Sequence, residues 1–192
     1  MTALEISLQI AIPAMWAVWI AYWVIAARNV KRSRWRESAW ASARHDVPLL
    51  LCILLLVGGR WLPAILTRHL YPPGPTLPLA GAALVAAGLA FAIWARVHLG
   101  RNWSSKVVVK EDHSLVRDGP YRWVRHPIYT GMLLALFGTA LAIGEWRGFL
   151  ALACAAIGVL FRVCAEEARM GETFPQYAQY RRRTSALIPG IY

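Results

Sequence analysis

Residues 128–165 read IYTGMLLALFGTALAI, GEWR and GFLALACAAIGVLFRVCA, and this stretch decides the fold. It contains two apolar runs, 128–143 and 148–165, separated by four residues. Apolar runs of this length predict membrane helices, and so short a connection requires them to form an antiparallel hairpin. Both runs carry small residues at helical spacing, namely Gly131, Ala135, Gly138 and Ala142, then Ala151, Ala155 and Gly158. Because such stripes permit close approach of helix backbones, we expect the two helices to pack on each other.

Three further apolar runs precede the hairpin, at residues 6–27, 47–66 and 78–95. A helix rises about 1.5 Å per residue, so about 20 residues cross a hydrocarbon core of about 30 Å. Glu5 precedes the first run and basic residues follow it, which is the reverse of a secretory signal peptide. The sequence therefore predicts an all-α polytopic membrane protein with about five transmembrane helices, forming one domain over residues 1–192.

The composition supports a membrane protein and argues against a nucleic-acid binder. Hydrophobic residues make up 58% of the chain and charged residues only 16%, whereas a soluble domain has about a quarter charged residues. The net charge of +11 comes from basic residues that fall between the apolar runs, as expected for topology-setting and headgroup-contacting charges. The three cysteines lie within apolar runs without metal-ligand spacing, so we expect neither a metal nor a disulfide.

The basic residues also predict an orientation for a chain with five spans. The segments 28–45, 96–127 and 162–192, which would share one side of the membrane, carry 18 of the 21 Lys and Arg residues. Cytoplasmic loops are enriched in Lys and Arg. We therefore expect the N-terminus outside, and the C-terminus and any site near it in the cytoplasm.

The polar segment 96–125 is the first place to expect a ligand site, because it is aromatic and punctuated by glycine beside a membrane. It leads into Arg125, His126 and Pro127 at the opening of the fourth span. A proline at a helix start accompanies unpaired amides, which favour a bound anion. The same residues are also typical of a membrane interface, and spacing alone leaves both interpretations open.

A second group of charges, Arg162, Glu166 and Glu167, stands at the inner end of the fifth span. Arg162 and Glu166 are four residues apart and share a helix face. Such a pair suits an anionic acceptor group and a cofactor amine. A snorkelling arginine followed by a solvated acidic turn explains the pattern equally well.

Together these elements resemble a known signature. The run GPYRWVRHPIYTG at residues 119–131 is followed by Glu166, Glu167, Phe174, Tyr177, Tyr180 and the sequence LIP at 187–189. This combination resembles the C-terminal signature of the isoprenylcysteine carboxyl methyltransferase family, over about residues 98–192. A loosened form of it resembles phospholipid N-methyltransferases and the C-terminal part of sterol reductases.

The resemblance implies an S-adenosylmethionine pocket on the cytoplasmic side, built from the segment between spans three and four and the C-terminal tail. Its implied cofactor-binding residues are His113, Ser114, Leu115, Val116, Tyr121, His126, Pro127, Ile128, Tyr129 and Glu166. Arg162 matches the position that orients the acceptor. The tail departs from the family near Pro175, where one residue is missing and proline replaces glycine, so the tail's cofactor contacts are not transferred.

The function implied by the resemblance is carboxyl O-methylation of an isoprenylcysteine or a similar lipophilic carboxylate. The partners expected are the lipid bilayer and a lipophilic or prenylated acceptor, with no nucleic acid and no metal. The first three spans carry no matching motif, so the acceptor's identity does not follow. The alternatives are methylation of a phospholipid or another lipophilic N, O or S acceptor, an NADPH-dependent sterol-type reductase, and a non-enzymatic membrane protein.

Overall fold

The computed structural model describes residues 3–28, 39–72, 74–100 and 115–191. Within these ranges the regular structure is helical, apart from two isolated β-bridges. Six α-helices follow one another along the chain: α1 Ala3–Ala27, α2 Ala39–Gly58, α3 Thr76–Leu99, α4 Pro127–Ile143, α5 Trp146–Thr173 and α6 Tyr177–Arg183. Two 3-10 turns lie between them, at Gly59–Trp61 and Gly119–Arg122.

The helices confirm an all-α polytopic membrane architecture. By length and composition α1, α2, α3 and α5 are long and apolar enough to cross a membrane, while the apolar helix α4 is shorter. With 17 residues, α4 is about 26 Å long, slightly less than a hydrocarbon core of about 30 Å. Only Gly144 and Glu145 separate α4 from α5, so the predicted hairpin is present with an even shorter connection.

The predicted second span, 47–66, is wrong at both ends. Helix α2 runs Ala39–Gly58, so it begins eight residues earlier and ends eight residues earlier than expected. Gly59 has φ +38°, a left-handed conformation that favours glycine and interrupts the helix. Pro63 then removes a further amide donor. The apolar run continues past these residues, so hydropathy alone extended the prediction beyond the helix end.

Two other spans are longer than predicted, because the helices continue beyond the apolar residues. The third, expected at 78–95, is Thr76–Leu99, and it ends where Gly100 adopts φ +52°. The fifth, expected at 148–165, is Trp146–Thr173. Its extra turns carry Glu166 and Glu167 on the same continuous helix as Arg162. The first and fourth spans agree with prediction within three residues.

The small-residue stripe of α4 packs on α3 and not on α5, which corrects the expected pairing. A Cβ atom at position 88 would lie 2.5 Å from the carbonyl oxygen of Gly131, and one at position 131 would lie 2.5 Å from that of Gly88. Gly81 and Gly138 form the same reciprocal contact one heptad away. The α5 stripe lies between α2 and α4. A Cβ atom at position 158 would lie 2.9 Å from the carbonyl oxygen of His45, and Ala151 and Ala155 pack with Cys52 of α2 and Leu136 of α4. Helix α3 supplies two glycines of its own, Gly81 and Gly88, and these oppose the glycines of the α4 stripe.

This packing predicts a large difference between two glycine-to-alanine changes. Gly88→Ala places a methyl group against the α4 backbone, and we expect it to destabilise the protein by about 1–3 kcal/mol. Gly171→Ala, in the last turns of α5, meets nothing within 4 Å and is expected to leave stability unchanged or slightly higher. Thermal unfolding of the detergent-solubilised variants measures both. Equal melting temperatures would contradict the close α3–α4 contact.

Helix α1 packs against α3 and α4 near the candidate site. Trp16 Nε1 donates to Thr139 Oγ1 at 3.0 Å, and Trp19 stacks on Trp23 with ring centroids 4.4 Å apart. The buried Arg96 joins the ends of two helices by donating from Nη2 to the Ala26 carbonyl at 3.0 Å. The Arg96 contact holds the end of α1 beside the end of α3, where the candidate site begins.

Candidate active site

A cavity of about 120 Å³ lies where the ends of α3, α4 and α5 meet the C-terminal segment. Seven of the residues named from the sequence line it: Leu115, Val116, Tyr121, His126, Ile128, Tyr129 and Glu166. Pro127 is buried and opens α4, but it is not part of the cavity wall. His113 and Ser114 lie outside the described residues.

Six further wall residues were not among the predicted contacts: Leu99, Arg125, Met170, Phe174, Tyr177 and Tyr180. Tyr177 and Tyr180 lie three residues apart in α6, and both are buried. Tyr180 Oη donates to the Tyr121 carbonyl at 2.6 Å, which fixes α6 against the cavity. The i, i+3 spacing of the two tyrosines was the available signal, but the altered sequence near Pro175 left their position open.

Glu166 is the centre of the polar cluster at the cavity. Tyr129 Oη donates to Glu166 Oε1 at 2.6 Å, and Arg162 Nε donates to the same oxygen at 3.3 Å. The Arg162 guanidinium also lies 6.0 Å from the centroid of the Tyr129 ring. Arg162 therefore does not line the cavity itself, but it contacts two residues that do.

Glu167 faces the C-terminal tail. Arg125 Nε donates to Glu167 Oε1 at 2.6 Å, and Arg181 Nε lies 3.3 Å from the other oxygen. The side chains of Arg125 and Glu167 are only 8% and 9% exposed. The two adjacent glutamates thus have different surroundings, Glu166 at the cavity and Glu167 in a buried ion pair.

His126 lies between the two glutamates. Its Nδ1 is 3.4 Å from Glu166 Oε2, and its Nε2 is 3.4 Å from Glu167 Oε1. These are ion-pair distances, and Nε2 is buried without a hydrogen-bond partner among the described residues. Burial acts to lower the pKa of His126, but the two carboxylates outweigh it and raise the pKa above its ordinary value. This arrangement favours a charged imidazolium, which stacks on Tyr129.

The raised pKa of His126 predicts that the protein is less stable in alkali. The folded state holds the proton more tightly than the unfolded state, so the stabilisation is fully present below about pH 6.5 and is lost as pH rises through the raised pKa. Each pKa unit of difference is worth about 1.4 kcal/mol. We expect the melting temperature to fall over this window and His126→Gln to flatten the fall. A variant with the full pH dependence would show that another group is responsible.

The tyrosines of the wall are hydrogen-bond donors. Burial raises the pKa of Tyr121 and Tyr177 well above the ordinary value and that of Tyr180 to about 12. Their phenols are therefore neutral at physiological pH. The cavity combines neutral aromatic walls with one cluster of charges.

The C-terminal tail covers the start of α4. The amides of Arg125 and His126 donate to the carbonyls of Ser185 and Ala186 at 2.9 and 3.0 Å. Thr130 Oγ1 donates to the Leu187 carbonyl at 2.7 Å. These two amides precede the helix, so unpaired amides in the first turn of α4, at Ile128 and Tyr129, stay a prediction.

Metal-ligating side chains do not cluster in this part of the molecule. Across the described ranges there is no group of three or more His, Cys, Asp or Glu residues that could hold a metal ion. The charges at the cavity are instead paired with each other, through Arg162 and Glu166 on one side and Arg125 and Glu167 on the other.

Comparison with known proteins shows what this chain is similar to. Residues 81–172 match the model of the isoprenylcysteine carboxyl methyltransferase (ICMT) family. The Protein-S-isoprenylcysteine O-methyltransferase of Schizosaccharomyces pombe is 36% identical over 102 residues, which are 50% of this chain and 43% of that protein. The cobalt-zinc-cadmium resistance protein CzcN of Cupriavidus metallidurans is 27% identical over 161 residues, 83% of this chain and 66% of that protein.

A solved structure has a similar fold. The structure of the eukaryotic intramembrane Ras methyltransferase ICMT, solved without a monobody, matches this chain with a TM-score of 0.54 and 24% identity. The match covers 76% of this chain and 52% of that one. The matched part of this chain covers 43–66% of the length of these three relatives, and the structural likeness establishes the fold.

Proposed function

We propose that this chain, whose residues 81–172 match the model of the isoprenylcysteine carboxyl methyltransferase family, uses S-adenosylmethionine to methylate the carboxylate of an isoprenylcysteine or a similarly lipophilic acceptor in the membrane. The observation that carries the proposal is the contact of Tyr129, His126 and Arg162 with Glu166 at an aromatic cavity. His126 and Tyr129 lie in the first part of the signature, residues 119–131, and Glu166 lies in its second part, 37 positions after Tyr129.

The residues of the cavity fit this cofactor. Aromatic faces attract a sulfonium cation and stack on a purine, and five Tyr or Phe residues line the wall. Glu166 supplies a carboxylate for the cofactor amine, and His126, beside it at 3.4 Å, contributes a wall of the cavity. We propose the cavity of about 120 Å³ as part of the cofactor pocket. The predicted contacts His113 and Ser114 lie outside the described residues.

The charges favour an acceptor that is already anionic. Glu166 and Glu167 each accept hydrogen bonds and face cations, which stabilises their ionised forms and makes them weak bases. An amine or alcohol acceptor needs a base, whereas a carboxylate at neutral pH does not. Transfer to a carboxylate breaks the carbon–sulfur bond of S-adenosylmethionine, forms a carbon–oxygen bond and leaves a neutral thioether with no proton to move.

Arg162 is the residue we assign to the acceptor. Its side chain is 16% exposed and stands on α5 one turn before Glu166. From there the guanidinium orients a carboxylate beside Tyr129 while Glu166 binds the cofactor, and alignment of the two reactants accounts for most of the rate. The water-soluble cofactor enters from the cytoplasm, where the basic segments place the C-terminal half, and the acceptor enters from the bilayer.

A second candidate is methylation of another small lipophilic acceptor. The cobalt-zinc-cadmium resistance protein CzcN matches more of this chain than the fission yeast methyltransferase does. The first three helices, where we expect acceptor specificity, are therefore not tied to prenylated substrates.

Binding of S-adenosylhomocysteine to the purified, detergent-solubilised chain is the test. We expect calorimetric titration to detect S-adenosylhomocysteine but not NADPH, and His126→Ala and Tyr129→Ala each to weaken binding roughly tenfold. A farnesylated cysteine and phosphatidylethanolamine, offered with S-adenosylmethionine, then distinguish the acceptor classes. Unchanged affinity in both variants would place the pocket elsewhere, and NADPH binding would favour the reductase.

A further inference from the structure

The C-terminal segment exposes a surface that the proposed chemistry does not use. Helix α6 turns Tyr177 and Tyr180 into the protein and leaves Arg182 and Arg183 exposed. Farther along, Ile188 is 52% and Ile191 is 79% exposed. We call these four residues, Arg182, Arg183, Ile188 and Ile191, the tail surface.

Contacts with α4 place the apolar part of the tail surface beside the membrane. The Leu187 carbonyl accepts from Thr130 Oγ1 at 2.7 Å, so Ile188 lies level with the first turn of an apolar helix. Arg182 and Arg183 precede that point, in the last turn of α6, and both are exposed. Exposed isoleucines at the start of a membrane helix are in position to contact acyl chains.

An aromatic side chain completes the pattern. The parallel bridge between Val124 and Ser185 sets Trp123 beside the tail, where it is 46% exposed with the Arg122 guanidinium 4.9 Å from its ring. Arginines, an interfacial tryptophan and exposed aliphatic residues are together typical of a surface that lies on an anionic bilayer. A soluble acidic partner would match the arginines but leave the isoleucines in water.

We propose that the tail surface binds the headgroups of anionic phospholipids, and that this binding holds the C-terminal segment against the start of α4. The same segment carries Tyr177 and Tyr180 of the cavity wall, and its carbonyls accept from the amides of Arg125 and His126. A lipid that binds the docked tail better than the undocked tail shifts the population toward the docked form. That this cavity binds a cofactor rests on the proposed function, while the docking of the tail does not.

Hydrogen exchange of the Arg125 and His126 amides measures the docking directly. The full chain is reconstituted in bilayers of phosphatidylcholine, with or without phosphatidylglycerol replacing about a third of the lipid. We expect exchange roughly fivefold slower or more in the anionic bilayer, because opening of the tail exposes both amides. Equal rates in the two bilayers would overturn the proposal.

Matched variants separate the tail surface from bulk charge. Arg182→Gln with Arg183→Gln is expected to lose the lipid effect, and Arg60→Gln with Arg68→Gln, two exposed arginines before α3, is expected to keep it. Loss in the second pair, or full protection by inorganic phosphate in phosphatidylcholine, would overturn binding of anionic lipid at the tail. Lipid-dependent exchange without S-adenosylhomocysteine binding would sustain the docking and refute the proposed function.

Discussion

Glu166→Ala is expected to lower the affinity for S-adenosylhomocysteine by about ten- to a hundredfold. This carboxylate is the acceptor for Tyr129 Oη at 2.6 Å and for Arg162 Nε at 3.3 Å, and it lines the cavity. A charge-assisted hydrogen bond at such a site is worth about 1.5–3 kcal/mol. Glu166→Gln keeps the shape of the side chain but loses its charge, so we expect its affinity to lie between those of the unmodified protein and Glu166→Ala. Titration calorimetry measures all three proteins.

Arg162→Ala is the control that separates the acceptor role from the cofactor role. Without Arg162, Glu166 keeps its hydrogen bond from Tyr129 and its contact with His126. We therefore expect affinity for S-adenosylhomocysteine to stay within a few-fold while turnover is lost. If Arg162→Ala abolishes cofactor binding as fully as Glu166→Ala, the two residues act as one structural unit and the division of roles is wrong.

The sequence predicted the five apolar helices α1 to α5 because each is a contiguous apolar run, whereas the seven-residue α6 was not predicted. Hydropathy could not place the ends of α2, since a backbone conformation at Gly59, not a change in polarity, ends that helix. The partner of the α4 stripe was also missed. Gly131 and Gly138 meet Gly88 and Gly81, and the choice between α3 and α5 depends on how the whole bundle packs.

The candidate site was predictable where the family signature itself contains the residues. Tyr121, His126, Tyr129 and Glu166 came from the family resemblance, and all four line one cavity. The ion pair of Arg125 with Glu167 joins residues 42 positions apart, which no spacing rule connects. The C-terminal tail contacts the residues before α4 through backbone carbonyls. Because every residue has a backbone carbonyl, the amino-acid sequence does not indicate this contact.

Arg125→Ala is expected to destabilise the protein by about 1.5–3 kcal/mol, because the buried Glu167 loses its 2.6 Å partner and keeps only the longer contacts with His126 and Arg181. Arg125 also donates to the carbonyls of Arg181 and Thr184, so the tail is expected to detach. Arg169→Ala is the matched control on α5. Its pair with Glu172 has side chains 33% and 67% exposed, and such pairs contribute about 0–1 kcal/mol.

The double variant Arg125→Ala with Glu167→Ala separates the two causes of this loss. Removal of both charges eliminates the buried carboxylate that has lost its closest partner, so we expect thermal unfolding to show part of the stability restored. Limited proteolysis after Arg183 is expected to be faster in Arg125→Ala than in the unmodified protein, and equally fast in the double variant. Both variants lack the hydrogen bonds from Arg125 to the tail. A double variant no more stable than Arg125→Ala would mean that the tail contacts, and not the buried charge of Glu167, account for the stability that Arg125 provides.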